Sequence, residues 1–405
     1  MLRRVIDVLF VVFLLALLAV PVVYHRILPV DTRMTLDEFA PRTHLNVAET
    51  GVERARFPVF ASGARLDGEA GRSAAAAVIE ACNVETVLGG DARRMRGERL
   101  GRELERDRAP GAPRVRWATS VGLGAIDRDD FAERAVTQLE QDVEAGARAL
   151  MVSRELGLGA RDGRGRLLGI DDERLDPIWK RCGELGIPVI LESLAPTAYW
   201  QPVDAHNERY RELMGRPVEG RGRWTSRGPA IQTVTGVHPK LQVMRNPELL
   251  HYFTFHWSGD FYPRKAELAM QRDRVVERHP ATTFIAVGIA GYPEDLAFVS
   301  RELERFDNLY VDLAGAYAEL GRQPYRARAF LVEHADRVLF AVEGPPSVEA
   351  YRTAFRFLES RDEYFDPPAI PGRPPVLWKI YGMGLPDAVL QKIYRENARR
   401  LFGDA

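Results

Sequence analysis

Short apolar runs alternate with amphipathic stretches from residue 57 almost to the carboxyl end. The runs are Phe57–Ser62, Thr86–Leu88, Arg116–Val121, Ala149–Val152, Pro188–Leu191, Phe284–Val287, Leu309–Leu313 and Val338–Val342. Strands buried on both faces of a parallel sheet read as brief apolar segments of this kind, separated by helices. Between them, Phe131, Ala135, Leu139 and Val143 fall on one helical stripe, and Leu175, Ile178, Trp179 and Cys182 on another. Gly186 ends the second helix and Pro188 opens the next strand. Eight such units predict an α/β fold, a (β/α)8 TIM barrel, in which chemistry lies at the carboxyl ends of the strands. An open doubly wound sheet shares the pattern. However, no Gly-x-Gly-x-x-Gly opens a helix after an early strand, so the nucleotide fingerprint of that fold is missing.

The longest departure from this rhythm is the stretch 193–280, between the fifth and sixth strands. It is too long for an ordinary loop and is expected to form an inserted lid or side wall over the strand ends. Tyr199, Trp200, Tyr210, Trp224, Tyr252, Phe253, Phe255, Trp257, Phe261 and Tyr262 make it rich in aromatics. These side chains suit either a satellite core or a ligand pocket, for which His256 and Trp257 are the candidate binding residues.

At the amino terminus, Met1-Leu-Arg-Arg4 precedes a nearly unbroken apolar run from Val5 to Tyr24, with only Asp7 charged. About 20 apolar residues cross the hydrocarbon layer as a helix. The pattern predicts a transmembrane anchor over residues 1–25, a linker over 26–48 and one barrel domain over 49–405. Arg3 and Arg4 on the cytoplasmic side place the barrel outside the cytoplasm, as a single-pass membrane protein. A cleaved secretory signal is the competing reading, since Ala16–Ala19 offers small residues. Against it, Val20-Pro-Val-Val-Tyr24 continues the apolar run where a polar mature start would stand.

Composition narrows the partners. The net charge is −1, so no long-range field recruits nucleic acid. Arginine supplies 51 of the 56 basic residues, scattered along the chain and matched by 57 acids. Cys82 and Cys182 fall in two different helices of the pattern and read as packed thiols, with no disulfide or metal motif.

Several segments carry a resemblance beyond the strand pattern. They are Ala195-Pro-Thr-Ala-Tyr-Trp-Gln-Pro-Val-Asp204 with Asn207-Glu-Arg-Tyr210, and Arg278-His-Pro-Ala-Thr-Thr-Phe-Ile285. Tyr310-Val-Asp-Leu313 with Glu319-Leu-Gly-Arg-Gln-Pro-Tyr325, Asp336-Arg-Val-Leu-Phe340 and Asn397-Ala-Arg-Arg-Leu-Phe402 complete the set. Together they resemble the amidohydrolase-related (Amidohydro_2) family over about residues 36–402. The resemblance implies a barrel that holds a divalent metal. Its ligands are His-x-His from strand one, a histidine each from strands five and six, and an aspartate from strand eight. Such a metal activates bound water or polarises the substrate for hydrolysis, decarboxylation or hydration.

Carried over residue by residue, the ligand positions fall on Gly63, Arg65, Glu192, Gly288 and Glu343, and the lysine frequent after strand four falls on Met151. No histidine stands at any of the imidazole positions and a glutamate stands at the aspartate position, so the donor set such an ion takes is not reproduced. The resemblance therefore implies a catalytically silent barrel that binds an unknown small molecule or protein, with no cofactor expected. Arg65 is expected to pair with Glu343 and Glu192 in the place of the lost cation. The alternative is an extracytoplasmic hydrolase or decarboxylase with a rebuilt site. Glu192, Glu343 and Asp312 would then be catalytic, and a divalent metal would bind only if those carboxylates formed an all-oxygen site. The proline-rich Asp366-Pro-Pro-Ala-Ile-Pro-Gly-Arg-Pro-Pro375 reads as a stiff loop.

Overall fold

The computed structural model describes Phe10, residues 12–15, and residues 43–403 except 110–113, 193, 203–205, 214–262, 372 and 374. Residues 1–46 and 47–405 separate into two units. In the first, Phe10 and residues 12–15 are helical. The rest of the expected anchor lies outside the described residues, and among those described no helix is long and apolar enough to cross a membrane.

The second unit is built on eight parallel strands: β1 (Val59–Arg65), β2 (Val84–Gly90), β3 (Val115–Ser120), β4 (Ala149–Val152), β5 (Val189–Leu191), β6 (Phe284–Ala286), β7 (Leu309–Asp312) and β8 (Val338–Leu339). Each pairs with the next in chain order. The Ser62 N–H donates to the Phe340 carbonyl at 3.0 Å and the Arg65 N–H to the Gly344 carbonyl at 3.2 Å. These bonds join the first strand to the segment leaving the eighth and nearly close the sheet into the expected barrel. Every apolar run of the sequence became a strand. The eighth is shorter than its run, because Phe340 already turns its backbone to Ser62 and to Ile393, whose carbonyl accepts from the Phe340 N–H at 3.0 Å.

Two layers of packing follow from the alternation of side chains along each strand. Phe60, Leu88, Ala118, Met151, Ile190, Ile285 and Leu339 point inward and fill the barrel, so Met151 is core. The opposite faces pack on the surrounding helices. There Phe131 and Leu139 of the helix Phe131–Ala145 are buried, as are Ile178, Trp179 and Cys182 of the helix Asp176–Leu185. Cys82 and Cys182 are both free and buried, as expected of packed thiols.

The closing helix Asn397–Phe402 seals the amino-terminal end of the barrel. Phe402 stacks toward Phe60 with ring centroids 5.6 Å apart. The Asn397 amide, fully buried, donates to the carbonyls of Ala335 at 2.7 Å and Val338 at 2.8 Å. Those carbonyls lie where β8 begins and have no water to turn to. Asn397→Ala should therefore lower the unfolding free energy by about 1–3 kcal/mol. A denaturation midpoint equal to that of the parent would show that the carbonyls find other donors.

Candidate functional site at the barrel mouth

A cleft of about 560 Å³ opens at the carboxyl ends of the strands. Gly63 and Arg65 reach it from β1, Gly90 from β2, Ser153 and Arg154 from β4, Glu192 from β5, Gly288 from β6, and Glu343 from the segment after β8. The topology thus brings together every position that the resemblance marks as a ligand. Asp312, at the end of β7, lies beneath them and is buried.

The charge on Glu343 is met by an arginine, though not the expected one. Arg373 Nη2 stands 2.5 Å from Glu343 Oε1, with 24% and 22% of the two side chains exposed. Burial pushes the Glu343 pKa up, but Arg373, Arg154 and Arg209 outweigh it, and the carboxyl stays below its ordinary range. Arg373 comes from the proline-rich segment, whose Pro367, Pro368, Ile370 and Pro371 also line the cleft. Phe365 and Ile380 exchange both backbone hydrogen bonds, at 3.1 and 2.8 Å, and pinch this loop at its base. What reads in sequence as a stiff loop is thus an arm that carries a guanidinium into the mouth.

Arg65 lines the same cleft but is exposed, and among the described residues its guanidinium makes no hydrogen bond or ion pair with Glu192 or Glu343. The reason is local. The register of β1 against β2 shifts between Ala61 and Ala64, and Gly63 there takes φ +70. This bulge leaves Ala64 buried and Arg65 exposed at the mouth.

A second ionic cluster fixes the segment after β5. Arg209 pairs with Glu319 and Glu212, and the Tyr199 hydroxyl donates to Glu212. Arg373 Nη1 lies 3.7 Å from the same Glu212. The Asn207 amide donates to the carbonyls of Ala198 and Pro202, each at 2.9 Å, which shapes the turn that presents Arg209. Arg209, Glu212 and Arg373 were not singled out by the sequence as site residues, whereas Tyr199 was among the aromatics read as suited to a core or a pocket. The available signal was that Tyr199, Asn207, Arg209, Glu319 and Arg373 sit in the quoted segments.

Asp312 is the buried acid without a cation. Its Oδ1 accepts from the backbone N–H of Gly288 at 2.8 Å and of Ala314 at 3.1 Å, while Oδ2 has no partner. Burial lifts its pKa to about 7 against those two bonds, with Glu192 and Glu343 adding repulsion. Burial likewise raises the pKa of Glu192, opposed by Arg154, Arg65 and Arg93.

The backbone after β6 is unusual. Gly288, Ile289, Ala290 and Gly291 all have positive φ, between +54 and +73. A β-branched residue in this region is strained. A Cβ at Gly288 would lie 2.9 Å from the Ala314 carbonyl oxygen, so the position excludes a side chain. The glycine is therefore demanded by the backbone and does not mark space left by a lost ligand.

A family model for amidohydrolases, Amidohydro_2, matches residues 116–403. The chain belongs to the Amidohydro_2 family. Among solved structures, it is similar to 2,6-dihydroxybenzoate decarboxylase complexed with 2,6-dihydroxybenzoate. There the identity is 16%, the match covers 85% of this chain and 99% of that one, and the TM-score is 0.50. An uncharacterized TIM-barrel protein from Bordetella bronchiseptica is 15% identical over 85% of this chain and 98% of that one, with a TM-score of 0.44. An amidohydrolase from Burkholderia multivorans is 12% identical over 86% and 100%, with a TM-score of 0.41. At these identities the likeness is one of fold. No curated protein matches the sequence.

The donors present in this Amidohydro_2 barrel do not fit the metal that the family resemblance implies. Among the described residues, no group of three or more His, Cys, Asp or Glu side chains is arranged to hold an ion. Of the described histidines, His279 bonds Asp176 and His334 bonds Ser300, and neither they nor His44 and His206 line the cleft. His256 and Trp257 lie outside the described residues.

The pKa of Asp312 makes a pH signature. The unfolded side chain releases its proton near 3.8 and the native one near 7. The native state therefore binds the extra proton in this window, and its stability falls as pH rises through it. Asp312→Asn keeps an oxygen to accept from Gly288 and Ala314 and cannot ionise. Denaturant unfolding measured from pH 3.8 to about 7 should show the parent losing stability relative to the variant. Parallel curves would mean that Asp312 ionises normally.

Proposed function

We propose that this protein is a membrane-anchored amidohydrolase-type barrel that binds a ligand at its mouth and has lost metal-dependent catalysis. The Arg373–Glu343 pair carries the reading. Where the resemblance puts a carboxylate on a divalent ion, a guanidinium already supplies the positive charge. Such an ion would have to displace a half-buried, hydrogen-bonded arginine, and breaking such a pair leaves a charge uncompensated. Gly288, closed to any side chain, removes a second donor position.

Full-length protein purified without chelator should contain no stoichiometric metal and should not hydrolyse esters, lactones or amides. Near-equimolar zinc, manganese or iron would overturn the reading.

A second reading has its own support. Asp312, with a pKa of about 7, is a group able to hold and release a proton near neutrality, and burial raises the pKa of Glu192 as well. They suit an extracytoplasmic hydrolase or decarboxylase with a rebuilt carboxylate site. Turnover abolished by Glu192→Gln, with folding intact, would favour it.

The anchor itself rests on the apolar run Val5–Tyr24, and the outward position of the barrel on Arg3 and Arg4. In sealed vesicles with the cytoplasmic face inward, added protease should degrade the barrel. Protection would place it on the other side.

A further inference from the structure

Three guanidinium groups line the cleft with no hydrogen bond or ion pair among the described residues. Arg65 leaves β1, Arg94 follows β2 and Arg154 follows β4, so they share the β1–β4 wall. None donates to or pairs with a described residue through its side chain, whereas Arg209 and Arg373 are held by acids.

The nearby carboxylates are engaged elsewhere. Asp67 pairs with Arg99 at 2.9 Å. Asp91 accepts from the Arg93 backbone at 3.0 Å, and Glu155 lies 3.2 Å from Arg93 Nε. The Glu192 side chain makes no hydrogen bond among the described residues, and burial raises its pKa, opposed by Arg154, Arg65 and Arg93. Three guanidinium forks therefore line the same space.

Across the cleft, Pro367, Pro368, Ile370, Val376 and Ala318 offer no side-chain polar groups. The hydroxyls of Tyr199 and Tyr317 are already spent on Glu212 and on the Ala341 carbonyl. The cleft thus carries cationic groups on the β1–β4 wall and, beside the Arg373–Glu343 pair, the apolar surface of the proline-rich loop. Its volume of about 560 Å³ suits a small molecule.

We propose that the cleft binds a small amphiphilic oxyanion, its carboxylate or phosphate head on Arg65, Arg94 and Arg154 and its apolar body against the proline-rich loop. Planar guanidinium forks pair with the oxygens of either head group. This names the ligand class of the binding function proposed above and rests on that reading. It needs no metal and no chemical step.

Calorimetric titration of the full-length protein with hexanoate, hexyl phosphate and neutral hexanol tests it. Both anions, or one of them, should bind, hexanol should not, and added salt should weaken the binding. The preferred anion identifies the head group, and either preference upholds the proposal. Arg65→Gln, Arg94→Gln and Arg154→Gln should each weaken binding about tenfold or more. Among the described residues none of the three has a hydrogen bond or ion pair to lose, so folding should be unchanged. Arg108→Gln, a surface change remote from the cleft, should bind as the parent does.

Failure of both anions to bind, or full affinity in the Arg65 and Arg154 variants, would overturn the proposal. The two readings fail separately. Stoichiometric metal would remove the loss of catalysis and leave the anion result standing. Metal-free protein that ignores both anions would remove only the ligand class.

Discussion

A carboxylate taken out of water needs either a positive partner or a proton. The mouth of this barrel uses both, and its shape depends on which acid receives which. Glu343 and Glu319 receive arginines, whereas Asp312 is left to burial and two backbone donors. Arg373 ties down the proline-rich loop, and Arg209 ties down the turn after β5. Glu212 lies within reach of both, so the two segments share an acid and their positions are coupled. The walls of the cleft are thus set by ion pairing as much as by apolar packing.

One of these acids, Asp312, also helps hold the strained turn after β6. The Gly288 N–H donates to Asp312 and the Ala290 carbonyl accepts from Arg272 Nη1 at 3.1 Å. Ile289 and Ala290 are buried. A residue such as Ile289 in the left-handed region costs about 1–3 kcal/mol, and such conformations persist only where the surroundings fix them. Here two hydrogen bonds and burial do so. Asp312 therefore has a structural task at the base of the cleft whatever its proton does.

The barrel was legible in the sequence because each strand is buried on both faces, and so each appears as an apolar run whatever its neighbours. The site was legible only in part. Gly63, Arg65, Glu192, Gly288 and Glu343 do converge, since the strand ends of a barrel must. Pairing was not legible. That a guanidinium would meet Glu343 followed from its burial, but the choice between Arg65 and Arg373 depended on a bulge at Gly63 and on the path of a loop 30 residues further on. Arg209 and Glu319 are 110 residues apart, and composition gives no hint that they touch. In a chain with 51 arginines, knowing that an acid will find one says little about which.

These observations bear on what separates this barrel from one with a metal. Exchanging side chains at the ligand positions would not be enough. A histidine at position 288 would collide with the Ala314 carbonyl unless the left-handed turn unwound, and unwinding it would free the N–H that Asp312 accepts. An aspartate at position 343 would still meet Arg373 unless the proline-rich loop moved. The substitutions read in the sequence and the backbone that surrounds them are therefore one state. The loop and the turn are each tied to an acid of the mouth, the loop to Glu343 and the turn to Asp312.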